Sequence, residues 1–552
     1  MLYYPTFVKS HKLRLSLAWV LWGSCFFFAK SDIEIRAIWP SVIALGLVLL
    51  IRRVLTGLMA GGAAGVVILE GGDLLSAFAA FFSEHLVPSL QDSWKVGALI
   101  FTLLLGGFVS LVERGGGFNG LVTRFLLRGK HPARRLQWTT MVVGLVLFFD
   151  GLANSMLVGR MMRSLADFCG VSRVKLAYIV DSTSSTVACV AFVSTWIATQ
   201  LAMIREGYVM AGRAEEAAPY ALFFESIPFN FYCLFTLILL AVSIRRNFNP
   251  GAMGCFEGVD REEDKVGQEH RIFLGGDDEV VLDEIKSSHW VRAILPIFVL
   301  VASLLFGVYL VGTEQAWPIT AVKLVGAFGS DQVVNVLLWS SALASLIAFS
   351  LYPRGVEWEL PSVVFLEGVK ALFVPVLILV GAWILSSTLT QLQAAEVISS
   401  LLGGHLPIFA IPASVFLLGA LISFSTGSAW GTMIILMPLA VTLLFGLSGD
   451  AVLESERGTL AAVVGAVFSG AVFGDHCSPI SDTTIVSSIA CEVEPHDHVR
   501  TQLPYALIAA FAALILGFLP VGFGLSPWIS LLLGLSVLPI VPTIFTLTMR
   551  PQ

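Results

Sequence analysis

The strongest constraint on this chain is that it is a succession of long, nearly uncharged apolar runs joined by short polar links. Lipid offers the backbone no hydrogen-bond partners, so only helices and closed barrels can lie in it. Runs of roughly 18 or more residues, each able to cross about 30 Å of hydrocarbon as a helix, select the helical solution. Hydropathy marks spans at 13–29, 37–51, 54–70, 95–112, 137–158, 176–203, 221–244, 290–312, 332–352, 369–390, 407–424, 429–446, 459–473, 505–525 and 527–548. Composition agrees: 56% of the 552 residues are hydrophobic and 13% charged, where a soluble domain has about 25% charged. The fold class is an all-α polytopic membrane protein with about 11–14 transmembrane segments, some of them half-helices.

Charge divides the chain. Lys9, Lys12 and Arg14 precede the apolar "LSLAWVLWGSCFFFA" (15–29), and no small-x-small cleavage site follows. Residues 1–34 therefore read as an uncleaved signal-anchor helix with a cytoplasmic N-terminus. The stretch 245–289, with "DREEDK" and "GGDDEVVLDEIK", has too few apolar residues to build a core and reads as a solvated loop. Arg245 and Arg246 place it on the cytoplasmic side of the cell (cytoplasmic) membrane. It separates a first transmembrane repeat, 35–244, from a second, 290–525, and a C-terminal helix follows at 526–552. The seven cysteines are scattered, odd in number and lack a CxxC pair, which points to neither a disulfide framework nor a zinc site.

The halves resemble one another. "RAIWP" (36–40) recurs as "RAILP" (292–296), and "PYAL" (219–222) as "PYAL" (504–507). Between them, "GLVLFFDGLANS" (144–155) aligns with "GALISFSTGSAW" (419–430), and "YIVDSTSSTV" (178–187) with "VFGDHCSPIS" (472–481), placing Asp181 on Asp475. Arg114, Arg124, Arg128, Lys130, Arg134 and Arg135 crowd 113–135, whereas 388–410 has no Lys or Arg; 71–94 lacks them too, while its counterpart holds Arg354 and Lys370. Opposite charge polarity in matched segments is what two inverted-topology repeats predict, and such repeats are built around broken helices.

Carboxylates at membrane depth cost roughly 2.5–3.5 kcal/mol on insertion scales, so they persist where they line a cavity or hold an ion. Asp150, Asp181, Asp475 and Asp482 are the ones that stand out. Helix capping is the competing explanation for each, since Asp, Ser and Thr favour helix starts. Hydroxyls crowd around them: Ser182, Thr183, Ser184, Ser194, Thr195, Ser425, Thr426, Ser428, Ser478, Ser481, Thr483 and Thr484, with Asn154 nearby. A small hard cation wants several oxygens, which these groups and freed backbone carbonyls supply. Gly151, Gly427, Gly474 and Pro479 are expected to break helices there. "GSAWG" (427–431) also fits a small-residue packing face. His476 is either a pH-sensing group or a hydrogen-bonded neighbour. Arg160, Arg163, Arg173 and Lys175 are most simply positive-inside charges, although a buried Lys175 or Arg173 would suit an organic anion.

"FFDGLANSMLVGRMMRSLADFCGVSRVKLAYIVDSTSSTVACVAFVSTW" (148–196) and "FGDHCSPISDTTIVSS" (473–488) resemble the NhaC-type sodium/proton antiporter family, which also contains exchangers of malate and lactate coupled to sodium and protons. The resemblance implies re-entrant hairpins and a scaffold beside a mobile transport domain. It places Asp181, Ser182, Thr183, Asp475, Ser478, Asp482, Thr483 and Thr484 at the ion site. The chain departs from the family pattern at Ser164 and at Ser185-Thr186, where proline-containing sequences are usual.

The expected function is a secondary antiporter exchanging Na+ for H+, with Asp181, Asp475 and Asp482 as the Na+ ligands and no cofactor. The alternative is a Na+- or H+-coupled exchanger of a small organic anion, malate- or lactate-like, or of an amino acid. Expected partners are membrane lipid, the two ions, and a second copy in a homodimer, with no role for nucleic acid. An intramembrane enzyme fits poorly: Asp475 follows "VFG" rather than the "GFG" of a GxGD protease motif, and no HExxH occurs.

Overall fold

The computed structural model describes residues 15–31, 33–51, 53–116, 132–257, 289–313, 332–353, 359–394, 407–448 and 457–548, with isolated residues at 317, 323, 327, 330, 355, 396 and 397. Much of 113–135, 258–288 and most of 395–406, His405 included, lie outside them. Among the described residues the secondary structure is helical throughout. In chain order the helices are α1 (Leu15–Ala29), α2 (Trp39–Ile51), α3 (Val54–Leu69), α4 (Leu74–Gln91) and α5 (Ser93–Arg114). Next come α6 (Pro132–Val146), α7 (Gly151–Cys169), α8 (Arg173–Ser182), α9 (Ser185–Val190) and α10 (Ile197–Met210). The middle of the chain forms α11 (Pro219–Phe229), α12 (Phe231–Arg246), α13 (Val291–Gly312), α14 (Val333–Leu351) and α15 (Pro361–Gln391). The last are α16 (Ile408–Thr426), α17 (Ala429–Ser448), α18 (Arg457–Cys477), α19 (Asp482–Cys491), α20 (Pro495–Gly522) and α21 (Pro527–Ile544).

Nine of these helices are long and apolar enough to cross a membrane. Two further pairs pass the same test together but bend, α3 with α4 by 119° and α11 with α12 by 44°. Local chemistry sets several ends. Asp92 caps α5 by accepting from the Trp94 and Lys95 amides, and Asp150 caps α7 by accepting from Ala153 N at 2.7 Å. Gly170 closes α7 with a left-handed φ of 67°, a conformation that glycine adopts without a Cβ penalty.

Two expected single spans are broken. Residues 137–158 divide into α6 and α7 at 147–150, and 176–203 divides into α8, α9 and α10. Averaged hydropathy is blind to such breaks, because the residues inside them remain apolar overall. Gly474 is not a breaker either. Helix α18 runs through it to Cys477, and the break falls at 478–481, around Pro479. Gly474 instead lets α16 approach: a Cβ there would lie 2.1 Å from the Phe424 amide nitrogen. The start of the polar loop is also not simply solvated. Lys175, in α8, reaches Asn249 Oδ1 at 3.0 Å, and Glu257 accepts from Ser172 Oγ at 2.6 Å, so 247–257 docks on the start of α8.

The helices sort into two groups. Unbroken α2, α3, α5, α13, α14 and α15 pack largely on one another, and the broken elements α6–α12 pack with α16–α20. Within the second group α6 and α7 form one hairpin and α16 and α17 another. Helix α7 runs parallel to α19, with Ser155 beside Ser487 and Gly159 against Ala490. Helix α17 runs parallel to α10, with Trp430 on Trp196 and Phe445 on Tyr208. Each hairpin's second arm thus lies beside a half-helix from the other half of the chain, as an inverted pseudo-twofold would arrange them.

Two outcomes test this packing. Gly474→Ala drives a methyl into the α16 backbone, and overpacking of that kind costs about 1–3 kcal/mol; the detergent-solubilised variant should melt several degrees below the parent. In a cysteine-free background, Phe168→Cys in the last turn of α7 and Glu215→Cys after α10 should react with an impermeant maleimide from opposite membrane faces. Labelling of both from one face would contradict the opposed hairpins.

Candidate functional site

Four chain breaks converge where the two halves meet. Helix α8 ends just after Asp181 and α18 ends just after Asp475. The ends touch through Ser182 Oγ, 3.0 Å from His476 Nε2. Asp475 is buried, and its carboxylate is held by the first turn of α19. Ser481 Oγ donates to Oδ1 at 2.5 Å and Thr483 Oγ1 to Oδ2 at 3.1 Å. Asp181 lies one hydroxyl further in: Thr484 Oγ1 is 3.4 Å from its Oδ2 and 3.1 Å from the Asp475 carbonyl. The same Asp181 oxygen accepts from Gln502 Nε2 at 2.6 Å and lies 3.2 Å from His498 Nε2. Its Oδ1 is buried with no hydrogen-bond partner among the described residues.

A cavity of about 780 Å³ opens onto Asp475 but does not reach Asp181. Its outer wall comes from α3, α5 and α15, and its inner wall is made largely of the breaks. Asp150, Thr195, Thr426, Ser428, Asp475, Asp482 and Thr483 line it, as do Arg53 and Glu113. Asp150 is both a cap and a wall: one oxygen holds the start of α7 and the other accepts from Thr195 Oγ1 at 2.7 Å. Asp482 is exposed to the cavity at the start of α19, and its carboxylate makes no hydrogen bond among the described residues.

The other expected ligands mend backbone. Asn154 Nδ2 donates to the Gly144 and Thr183 carbonyls, each at 2.8 Å. Thr183 donates back to Ile179 O, Ser184 to Gly151 O, Ser194 to Ala188 O and Ser478 to Phe424 O. Thr426 donates to Ile422 O, and Ser428 accepts from the Gly431 amide. A hydroxyl that donates its proton keeps lone pairs for a cation, so these bonds do not remove the oxygens from a site. Ser425 is exposed and lies outside the cavity lining. His476 is fully buried, between Ser182 and Tyr232, whose hydroxyl is 2.7 Å from Nδ1.

Sequence reasoning missed His498 and Gln502. They sit four residues apart in "HDHVRTQ" (496–502), on one face of α20 just before the apolar run, and that spacing was the available signal. Lys175 is indeed buried, but among Tyr505, Asn249 and the Phe248 carbonyl rather than at the cavity. Arg173 lies at the surface, paired with Asp167 and Glu492.

Known proteins place this architecture. Residues 187–522 match the profile of the Na+/H+ antiporter family, so most of the 148–196 motif lies upstream of the matched region. A protein of Haemophilus influenzae is 29% identical over 500 residues, covering 89% of this chain and 91% of its own. The malate-2H+/Na+-lactate antiporter of Bacillus subtilis is 33% identical over 178 residues, 31% of each chain. Among solved structures, MtrF of Neisseria gonorrhoeae, from a class of antimetabolite efflux pumps, superposes with a TM-score of 0.54 at 15% identity, covering 82% of this chain and 85% of its own; that likeness concerns the fold. With its multi-pass helical body and its profile match over more than half its length, the chain belongs to the Na+/H+ antiporter family and is a secondary transporter.

Proposed function

We propose that the protein exchanges Na+ for H+ across the cytoplasmic membrane by alternating access, with Asp475 and Asp181 at the centre of the ion site. The observation that carries this reading is the meeting of two helix breaks, one with its carboxylate facing the cavity and the other with its carboxylate sealed one hydroxyl behind. Helix ends, hydroxyls and paired carboxylates at a repeat interface are the usual materials of such a site.

The two ends of the molecule support alternating access. The cavity lies beside the last two turns of α5, from Gly106 to Glu113. At the other end of α5 the two helix groups are tied together by ion pairs. Lys95 Nζ meets Glu206 Oε1 at 2.8 Å, and Ser386 Oγ donates to Glu206 Oε2 at 2.7 Å. Arg205 meets Asp92 at 2.9 Å and lies over the Trp94 ring. The protein is thus open at one end and latched at the other. The open end carries Arg163 and Arg173, and the positive-inside bias makes it cytoplasmic.

Proteoliposomes given a sodium gradient should move protons in the opposite direction with no organic solute present, and Asp475→Asn and Asp181→Asn should each reduce that flux to background. Flux that appears only when malate, lactate or an amino acid is added would defeat the cation-only reading, and full activity in either variant would remove that residue from the site. The latch has its own test. Glu206→Gln leaves Lys95 without its partner, a loss of about 3–5 kcal/mol for a buried pair. It should speed labelling of Ser428→Cys by a reagent added at the face remote from the cavity mouth; an unchanged rate would rule out the latch.

A further inference from the structure

Helix α8 is too short to be placed by the membrane. Its ten residues, Arg173–Ser182, rise about 15 Å, roughly half of what a span needs, so contacts with the rest of the protein set its depth. One end is held through Asp181, which bonds Thr484 of α19 and Gln502 of α20. We propose that the other end is moored by residues 247–257, and that Lys175 and Glu257 are positioning residues for Asp181. The proposal rests on the reading of Asp181 and Asp475 as the ion site.

The mooring begins where the chain leaves α12. Asn247 closes that helix with a left-handed φ of 52°, a conformation that asparagine adopts more readily than most residues, and the chain turns onto the start of α8. Phe248 and Met253 are buried, the first with its ring 6.0 Å from that of Tyr505, and Gly251 packs on Pro504. Glu257 is 6% exposed and accepts from both the amide and the hydroxyl of Ser172, at 3.1 and 2.6 Å. Ser172 is the N-cap of α8, so this carboxylate grips the helix at its first turn, where the helix dipole also favours a negative charge.

Lys175 ties the same segment to the same helix. It is buried, and its Nζ meets Asn249 Oδ1 and the Tyr505 hydroxyl at 3.0 Å and the Phe248 carbonyl and Ser243 Oγ at 3.5 Å, beside the stacked rings of Tyr178 and Tyr505. A buried charge is tolerated only where it is well bonded, and two of these oxygens belong to 247–257. The segment cannot lift away without stranding the ammonium group, so the buried charge holds the segment in place. Lys175 and Asp181 are six residues apart on one short helix, about 9 Å of rise. Both meet α20: Tyr505 takes Lys175, and Gln502 and His498 take Asp181. A shift of α8 that frees Lys175 therefore moves Asp181 against Gln502 and Thr484, the contacts that set it behind Asp475.

The test is the sodium dependence of proton flux in proteoliposomes of the full-length protein. Lys175→Met removes the ammonium group without leaving a buried charge, and Glu257→Ala removes the acceptor at the start of the helix. If either leaves α8 in its competent position roughly a tenth to a third of the time, KM for Na+ rises about three- to tenfold. Saturating Na+ draws the helix back, so kcat changes little. Glu257→Gln keeps an oxygen for Ser172 and should recover part of the affinity lost in Glu257→Ala. A general loss of folded transporter lowers the maximal flux and leaves KM where it was. Unchanged KM in Lys175→Met or in Glu257→Ala, whatever the maximal flux, would overturn the mooring while leaving the antiport reading intact. Absence of sodium-driven proton flux in the parent protein would overturn that reading, and the proposal with it.

Discussion

The structure depends on how broken backbone is satisfied inside a membrane. A peptide group left without a partner in lipid costs several kcal/mol, and this chain interrupts its helices at 147–150, 183–184, 191–196, 427–428 and 478–481. Side chains and one backbone amide repair these interruptions, and the repairs cross from one break to the next. Asn154 bonds the Gly144 and Thr183 carbonyls, joining the first break to the second. Thr195 N donates to Phe149 O, and Ser478 Oγ to Phe424 O. The breaks therefore stabilise one another as a single polar assembly. Much of the hydroxyl density that marks the sequence is explained by this repair before any ion is considered.

That assembly has a mechanical consequence. Its bonds lie within the group of broken helices, while the facing wall of the cavity is built from α3, α5 and α15. None of the repairs named above reaches α3, α5 or α15. The polar bonds that cross the boundary most clearly are those of Lys95, Glu206 and Ser386, and of Arg205 and Asp92, at the end remote from the cavity. A transporter that alternates its access needs strong bonds inside each moving body and few, exchangeable ones between them. This division of polar contacts has that character.

The fold class was legible in the sequence because lipid leaves so few solutions, and Asp181 and Asp475 were legible because aligned halves placed them together. The breaks in 137–158 and 176–203 were hidden by averaging over apolar residues, although Asp150-Gly151 in the middle of one window was a sign. Lys95 and Glu206 were passed over for another reason. Each lies within a few residues of an expected span end, where charge is ordinary, and what distinguishes them is a contact with an element far along the chain. Lys95 and Glu206 are 111 positions apart in sequence and meet at 2.8 Å. No local pattern encodes such a pair. Gln502 and His498 fall between these cases, since their spacing was visible but their partner, Asp181, was not.

The two aspartates are held by different kinds of donor, and on the proposed reading this separates their roles. Asp475 is held by the hydroxyls of Ser481 and Thr483. A hydroxyl can rotate its proton away and present a lone pair with no movement of heavy atoms. The same two groups can thus brace the carboxylate when no cation is present and ligate a cation when one arrives from the cavity. Asp181 is held instead by the Gln502 amide, which also donates to the His476 carbonyl. An amide nitrogen offers only donors, so that contact cannot change character without turning the whole side chain. Asp475 is therefore built to change its occupant. Asp181, with one oxygen held among Gln502, His498 and Thr484 and the other buried without a partner among the described residues, is built to stay in place behind Thr484 while Asp475 changes what it holds.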